Sequence, residues 1–294
     1  MKYLNFFYIF FWTICRLWKK VILSIFILIL VSGYSALPVL AALNTTSADF
    51  GNDATAYKFN ITDSADTSIT SSLTIEMWLN FTSTTGFQRT FDKENGGTGL
   101  NGYGAYWNPN DTGINLRIAD GSAACEPLIS WSPSTGVWYH WAMVFDDTNN
   151  ILQMFINGTQ QGTDQSCTRS PGDGNDTVVI GNANGGDQDF NGLFDDVRLY
   201  NVARTGAAIA ADYQQQLVGN ETGLVGYWML NNGAGTCGTT QLEDKGETTD
   251  PVGAVADDLT NVNSVQCVTD VPFTNAGAAA AVVPKRRLNV IIIE

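Results

Sequence analysis

The chain has 294 residues, 44% of them hydrophobic, which is enough apolar content for one large core, and its formal charge is -14. Seven of the 15 basic residues lie before position 21 or after position 284, so the middle is more acidic still; such a surface repels phosphate backbones and excludes nucleic acid as a partner. Thr, Asn, Asp and Gly are spread throughout and helix formers do not dominate, the composition of an all-β protein with many short strands and polar turns.

Taken in order, the chain begins with a targeting segment. Arg16, Lys19 and Lys20 precede the apolar run VILSIFILILV, whose length fits a secretory h-region, and Val39-Leu40-Ala41 supplies a small-residue cleavage site. Residues 1–42 are therefore read as a signal peptide, or, if uncut, as a membrane anchor crossing with residues 21 to 43 and leaving the basic cluster inside. Either way the remainder is exported, to be secreted or held at the cell surface. Cys15 belongs to the leader; the four cysteines beyond it, Cys125, Cys167, Cys237 and Cys267, are an even set that in an exported chain implies two disulfides. Three pairings are open, and nearness in sequence favours Cys125 with Cys167 and Cys237 with Cys267. Zinc is a poor alternative, because no two cysteines are close and the only histidine, His140, lies inside an expected strand.

Residues 56 to 61 (AYKFNI) alternate, and residues 73 to 81 (LTIEMWLNF) do so more cleanly. Leu73, Ile75, Met77, Leu79 and Phe81 face a core, while Thr74, Glu76, Trp78 and Asn80 face the other way. Trp78 on that semi-polar face is either a platform for a sugar ring or a ring packed under a loop. GAYW and INLRI give meandering strands, and residues 138 to 145 are apolar on both faces, as expected of a strand central in its sheet. A lone histidine in such a strand, His140, is a hydrogen-bonded core residue more often than a catalytic one. ILQMFINGTQQG reads as a hairpin, because Asn157-Gly158 readily takes both positive-φ positions of a type I′ turn. TVVIG (177 to 181) is a short strand. The Gly, Asn and Asp loop after it carries Asp187 and Asp189, candidate ligand-binding residues of a kind that suits turns and hard cations alike.

FNGLFDDVRLY (190 to 200) comes next. Simple alternation puts Asp195 on the same side as Val197 and Leu199. A carboxylate among apolar groups must find backbone amides, a cation or a metal. Thr205 then caps a helix in which Ile209, Tyr213 and Leu217 recur, and Gly219 ends it.

The ordered set LTIEMW, VWYHWAMVFD, LQMFINGTQ, VVIGN and FNGLFDDVRLYNVAR resembles the laminin G-like, concanavalin A-like jelly-roll family of secreted bacterial proteins, over roughly residues 50 to 218. The resemblance implies a two-sheet antiparallel jelly-roll sandwich, binding rather than catalysis, and a divalent cation, usually calcium, near the acid that aligns with Asp195. It also implies a cation-proximal acid at Asp244 in EDKG. The chain departs from the family at Asp196, where Glu is more usual, and at Trp141, where a small apolar residue is usual. GLVGYWMLNNGAGTCG resembles the family's opening stretch but comes last, and the length left favours edge strands of the same sandwich over a second domain.

The expected organisation is thus a signal or anchor helix at 1–42, one all-β two-sheet antiparallel sandwich with a short helix at 43–275, and a tail at 276–294 that is either flexible or the start of a further module. The expected role is non-catalytic recognition of glycans or surface proteins, in adhesion. The rivals are a structural module of the cell envelope and a glycoside hydrolase; the latter lacks the closely spaced Glu-Asp-Glu strand motif of laminarinase-type enzymes.

Overall fold

A strand with one apolar face must lay that face on a second layer, and LTIEMWLNF does so. The computed structural model describes residues 46–51, 57–94, 100–183, 188–230, 235–236 and 259–272. In chain order the elements are β1 (Ser47–Asp49), β2 (Lys58–Ile61), β3 (Leu73–Phe81), β4 (Gln88–Glu94), β5 (Asn101–Asn108), β6 (Gly113–Asp120), β7 (Ala124–Cys125), β8 (Leu128–Ser130) and β9 (Trp138–Asp146). They continue with β10 (Ile151–Ile156), β11 (Thr159–Ser166), β12 (Val178–Ile180), β13 (Gly192–Tyr200), α1 (Gly206–Asp212), β14 (Leu224–Trp228), β15 (Gly235–Thr236), β16 (Leu259–Val262) and β17 (Gln266–Val268).

The first sheet runs β11-β10-β9-β3-β13-β1-β17-β15, with β14 also paired to β13; the second runs β16-β2-β12-β4-β5-β6-β7, with β8 also paired to β6. Every pairing among the described residues is antiparallel. Among the described residues this is the all-β, two-layer jelly-roll sandwich with one short helix that the sequence predicts. Its core takes the odd positions of β3, Leu73 to Phe81, against Phe91, Tyr103, Ala105, Ile114 and Leu116 of the second sheet. Burying each large apolar side chain contributes about 1.5–3 kcal/mol.

β9 is apolar on both faces because it is covered twice. Trp141, Met143 and Phe145 enter the main core, while Ala142 and Val144 meet Phe155 and Ile209 of α1 on the outside. The hairpin forms as expected: Ile156 pairs with Thr159, and Asn157 (φ 51) and Gly158 (φ 74) turn the chain. The GLVGYW segment becomes β14, a strand of the same sandwich.

Two expectations are corrected. The register of β13 on β3 shifts between Asp195 and Arg198, and Asp196 takes φ 51, a β-bulge with its extra residue in the left-handed region that Asp tolerates. Phe194 therefore faces the core before the bulge, and Val197 and Leu199 face it afterwards. Asp195 pairs opposite Trp78 and so points with the outer residues, not with Val197 and Leu199. The helix, capped as expected by Thr205, stops at Asp212 with Tyr213 as its C-cap rather than running on through Leu217 to Gly219. Arg198 ends it by reaching up from the sheet to the carbonyls of Asp212 (3.3 Å) and Gln215 (2.6 Å), which satisfies acceptors that another turn would have used.

The two sheets are joined at one open side. Cys125, in the outermost strand β7 of the second sheet, is bonded to Cys167, just after the outermost strand β11 of the first, with Cα atoms 5.6 Å apart. β11 itself (TQQGTDQS) is polar and mostly exposed. Cys267 is also disulfide-bonded; its expected partner Cys237 lies outside the described residues, as do the leader, the tail, Asp187 and Asp244. Among the described residues no helix is long and apolar enough to cross a membrane.

Candidate functional site

The outer faces of the two sheets differ. On the first, α1 and the residues after it cover a closed network. Arg198 is fully buried and holds Asp196 through two hydrogen bonds, from Nε to Oδ1 (2.9 Å) and from Nη2 to Oδ2 (3.0 Å), with Glu76 Oε2 3.5 Å from its Nη1. Burial works against its charge, but Asp196 and Glu76 raise its pKa well above the ordinary value. Arg204 donates to Glu76 and also to Asp212 (2.5 Å). Burial pushes the Glu76 carboxyl up, yet His140, Arg198 and Arg204 more than reverse this and bring it to about 2. His140 Nε2 lies 3.4 Å from Glu76, and burial lowers its pKa, so it stays neutral. It is a core residue.

Trp78 belongs to the same layer. It is 4% exposed, donates from Nε1 to the Tyr213 carbonyl (3.1 Å) and packs against His140 and Tyr213. Of its two readings the packed ring is the one seen, and no face is left for a sugar. Asp195, opposite it, is fully buried and accepts the Asp196 N–H at Oδ1 (2.8 Å). Asp189 accepts from Asn182 in the loop before β13. Among the described residues no group of three or more His, Cys, Asp or Glu is placed to hold a metal ion.

Among the described residues no helix lies on the second sheet's outer face. Tyr103, Ala105 and Trp107 of β5 enter the core, so Gly102, Gly104 and Tyr106 face outward. A Cβ on Gly102 (φ 100) would lie 1.8 Å from the Lys93 carbonyl oxygen, and one on Gly104 would lie 2.8 Å from that of Phe91. Because neither glycine carries a side chain, residues of the flanking strands meet over β5. Glu94 Oε1 on β4 lies 2.6 Å from Arg117 Nε on β6.

The same two strands extend the cluster. Arg89 places Nη2 3.4 Å from Glu94 Oε2 and Nη1 3.7 Å from Asp92 Oδ1, donates from Nε to Gln188 (2.9 Å), and sets its guanidinium 4.8 Å from the Tyr106 ring centre. Arg117 Nη1 donates to Glu126 Oε2 and the Tyr106 hydroxyl donates to Glu126 Oε1, each at 2.5 Å. Phe87, 40% exposed, stands with its ring centre 6.0 Å from that of Tyr106. Asp92 and Glu94 form the floor, 4% exposed at their side chains, under the Arg89 and Arg117 side chains, which are 12% and 13% exposed. Burial pushes the Glu94 carboxyl up to about 7 against the pull of Arg89 and Arg117. An aromatic edge beside a convergent polar set is what a ligand with both apolar and hydroxyl surfaces requires.

None of the residues singled out in the sequence lies in this cluster. Its residues fall between positions 87 and 188 and come together only through strand register. On β4 a shift between Arg89 and Phe91 breaks the alternation that would have marked the strand. The one legible sign was GYGAYW, in which two glycines stand among three aromatic residues.

Residues 52–210 match the concanavalin A-like lectin/glucanases superfamily, and the chain belongs to that superfamily. Among solved structures, a candidate carbohydrate binding protein from Bacteroides ovatus ATCC 8483 is similar with 17% identity and a TM-score of 0.59, over 78% of this chain and 61% of that one. A SAP-like pentraxin from Limulus polyphemus has 16% identity and a TM-score of 0.46, over 57% of this chain and 81% of that one. The CBM40 of a Ruminococcus gnavus IT-sialidase has 17% identity and a TM-score of 0.44, over 52% of this chain and 90% of that one. No curated protein sequence matches the chain.

Proposed function

We propose that this is an exported, non-catalytic recognition domain that binds carbohydrate through the outer face of the second sheet and serves adhesion at the cell surface. The observation that carries the proposal is the juxtaposition of Phe87 and Tyr106 with the Arg89, Asp92, Glu94, Arg117 and Glu126 network. A sugar ring offers a C–H face to the aromatic edge, and its hydroxyls can both donate and accept in the network. Superfamily membership and the likeness to the Bacteroides ovatus protein support the same view. Export is supported by the leader and by the Cys125–Cys167 disulfide, which suits an oxidising compartment.

Binding is favoured over hydrolysis by the geometry of Glu94. A glycosidase acid must turn a protonated oxygen to the scissile bond, whereas here Oε1 and Oε2 each face a guanidinium. Electrophoresis of the exported domain through polysaccharide-containing gels tests the proposal: at least one glycan should retard it, and Phe87→Ala should abolish the retardation. Mobility unchanged by every glycan would refute binding, and new reducing ends in the gel would refute the non-catalytic assignment. A calcium ion at Asp195, with Asp244 as a further ligand, belongs to the same proposal and serves stability rather than the glycan face.

A further inference from the structure

We infer that the glycan face of the second sheet takes uncharged, hydroxyl-rich sugar units and discriminates against sialic, uronic and sulfated ones, because both of its guanidinium groups are already matched by carboxylates. This rests on the proposed glycan site and specifies its ligand class. Arginine is the usual device for capturing an anionic sugar, through two parallel N–H···O contacts on a free guanidinium fork. Both guanidiniums here already face carboxylates, although Arg89 Nη1, 3.7 Å from Asp92 Oδ1, makes no hydrogen bond. Arg89 faces Asp92 and Glu94, and Arg117 faces Glu94 and Glu126.

Other cations do not change the balance. Lys93, next to Glu94 in sequence, points away from this face and is held by Asp63 (2.5 Å) and the Asp176 carbonyl (2.9 Å). Arg169 lies 2.5 Å from Asp120, and Arg198 and Arg204 serve the first sheet. Lys58 is on β2, separated from β4 by β12. Among the described residues of the cluster, the three carboxylates of Asp92, Glu94 and Glu126 thus stand against the two guanidiniums once Glu94 is ionised, above about pH 7. An anionic sugar would have to displace a carboxylate from its arginine while entering an acidic field. A neutral sugar leaves the pairs intact: its hydroxyls can accept from guanidinium N–H groups such as Arg89 Nη1, which makes no hydrogen bond within the protein, and donate to carboxylate oxygens, while Phe87 and Tyr106 take its C–H face.

Matched neutral and acidic ligands test this: dextran against dextran sulfate, hydroxyethylcellulose against carboxymethylcellulose, and lactose against α2,3-sialyllactose. Affinity electrophoresis and calorimetry at about 0.15 M salt screen out the long-range charge of the chain, and about pH 8 keeps Glu94 ionised. For each pair that binds, the acidic member should bind at least about tenfold more weakly. In Glu126→Gln, which releases one side of the Arg117 fork, that gap should narrow. Acidic members binding as well as their neutral counterparts would overturn the inference and leave the glycan site standing. A gap that Glu126→Gln does not narrow would overturn its attribution to matched guanidiniums. Failure of every neutral and acidic glycan to bind would overturn the proposed function, and this inference with it.

Discussion

Replacing Glu94 by Gln should flatten a dependence of stability on pH that burial imposes on the second sheet. Burial raises the Glu94 carboxyl from 4.5 to about 7, although Arg89 and Arg117 pull the other way. Between those two values the folded protein holds a proton that the unfolded chain has released, so folding takes up a proton and stability falls as pH rises. The contribution is fully present below the unfolded value and lost by the time pH has passed the folded one. A shift of this size corresponds to about 3 kcal/mol, or roughly 6–12 °C in Tm for a domain of this size. Thermal unfolding of wild type and Glu94→Gln, followed from about pH 4.5 to about pH 8, isolates the contribution, because other titrating groups are common to both proteins. Wild type should lose about 3 kcal/mol relative to the variant across that range. Parallel curves would show that the two guanidiniums balance burial, and a wild type gaining on the variant with rising pH would show that they outweigh it.

Cys125→Ser with Cys167→Ser opens a loop with a sequence separation of 42 and should cost about 4 kcal/mol in the chain-entropy account, read by urea unfolding in the absence of reductant. A loss under about 1 kcal/mol would mean that the sheets hold this side closed without the staple. Arg198→Met leaves Asp196 buried without its guanidinium and Glu76 with that of Arg204 alone, and should cost about 3–5 kcal/mol, checked by chemical denaturation. Gly158→Ala combines a positive φ with a Cβ only 2.8 Å from Ala210 Cα, so a loss of about 1–3 kcal/mol is expected, with α1 the first element to lose hydrogen-exchange protection. If calcium binds at Asp195, adding it to chelated protein should raise Tm in proportion to the logarithm of its concentration, and Asp195→Asn should abolish the rise; identical melting with calcium and with chelator would remove the metal from the proposal.

The sandwich was legible because its central strands obey simple periods. β3 alternates cleanly, β9 is apolar on both faces because α1 covers one of them, and Asn157-Gly158 fixes a turn by backbone preference alone. Where periodicity failed, a single inserted residue was responsible. The bulge at Asp196 flips the side on which Asp195 points, and the shift after Arg89 hides β4, the strand that supplies Arg89, Asp92 and Glu94 to the candidate site. That site was illegible for a second reason. Its partners on β4, β5 and β6 meet only through strand register and over glycines that carry no side chain to announce a surface. Trp78 shows the converse: an aromatic residue on a semi-polar strand face looks like a platform until the segment after α1 is known to cover it.

The outermost strand of the first sheet has a consequence for how many copies can share one surface. β11 offers glutamines, threonines and an aspartate, bends at Gly162 (φ 68), and pairs with β10 through a shifted register. A rim that is hydrophilic and irregular gives a neighbouring copy no straight row of amides to zip onto. Crowding therefore does not fuse such molecules edge to edge through this strand, however high their concentration.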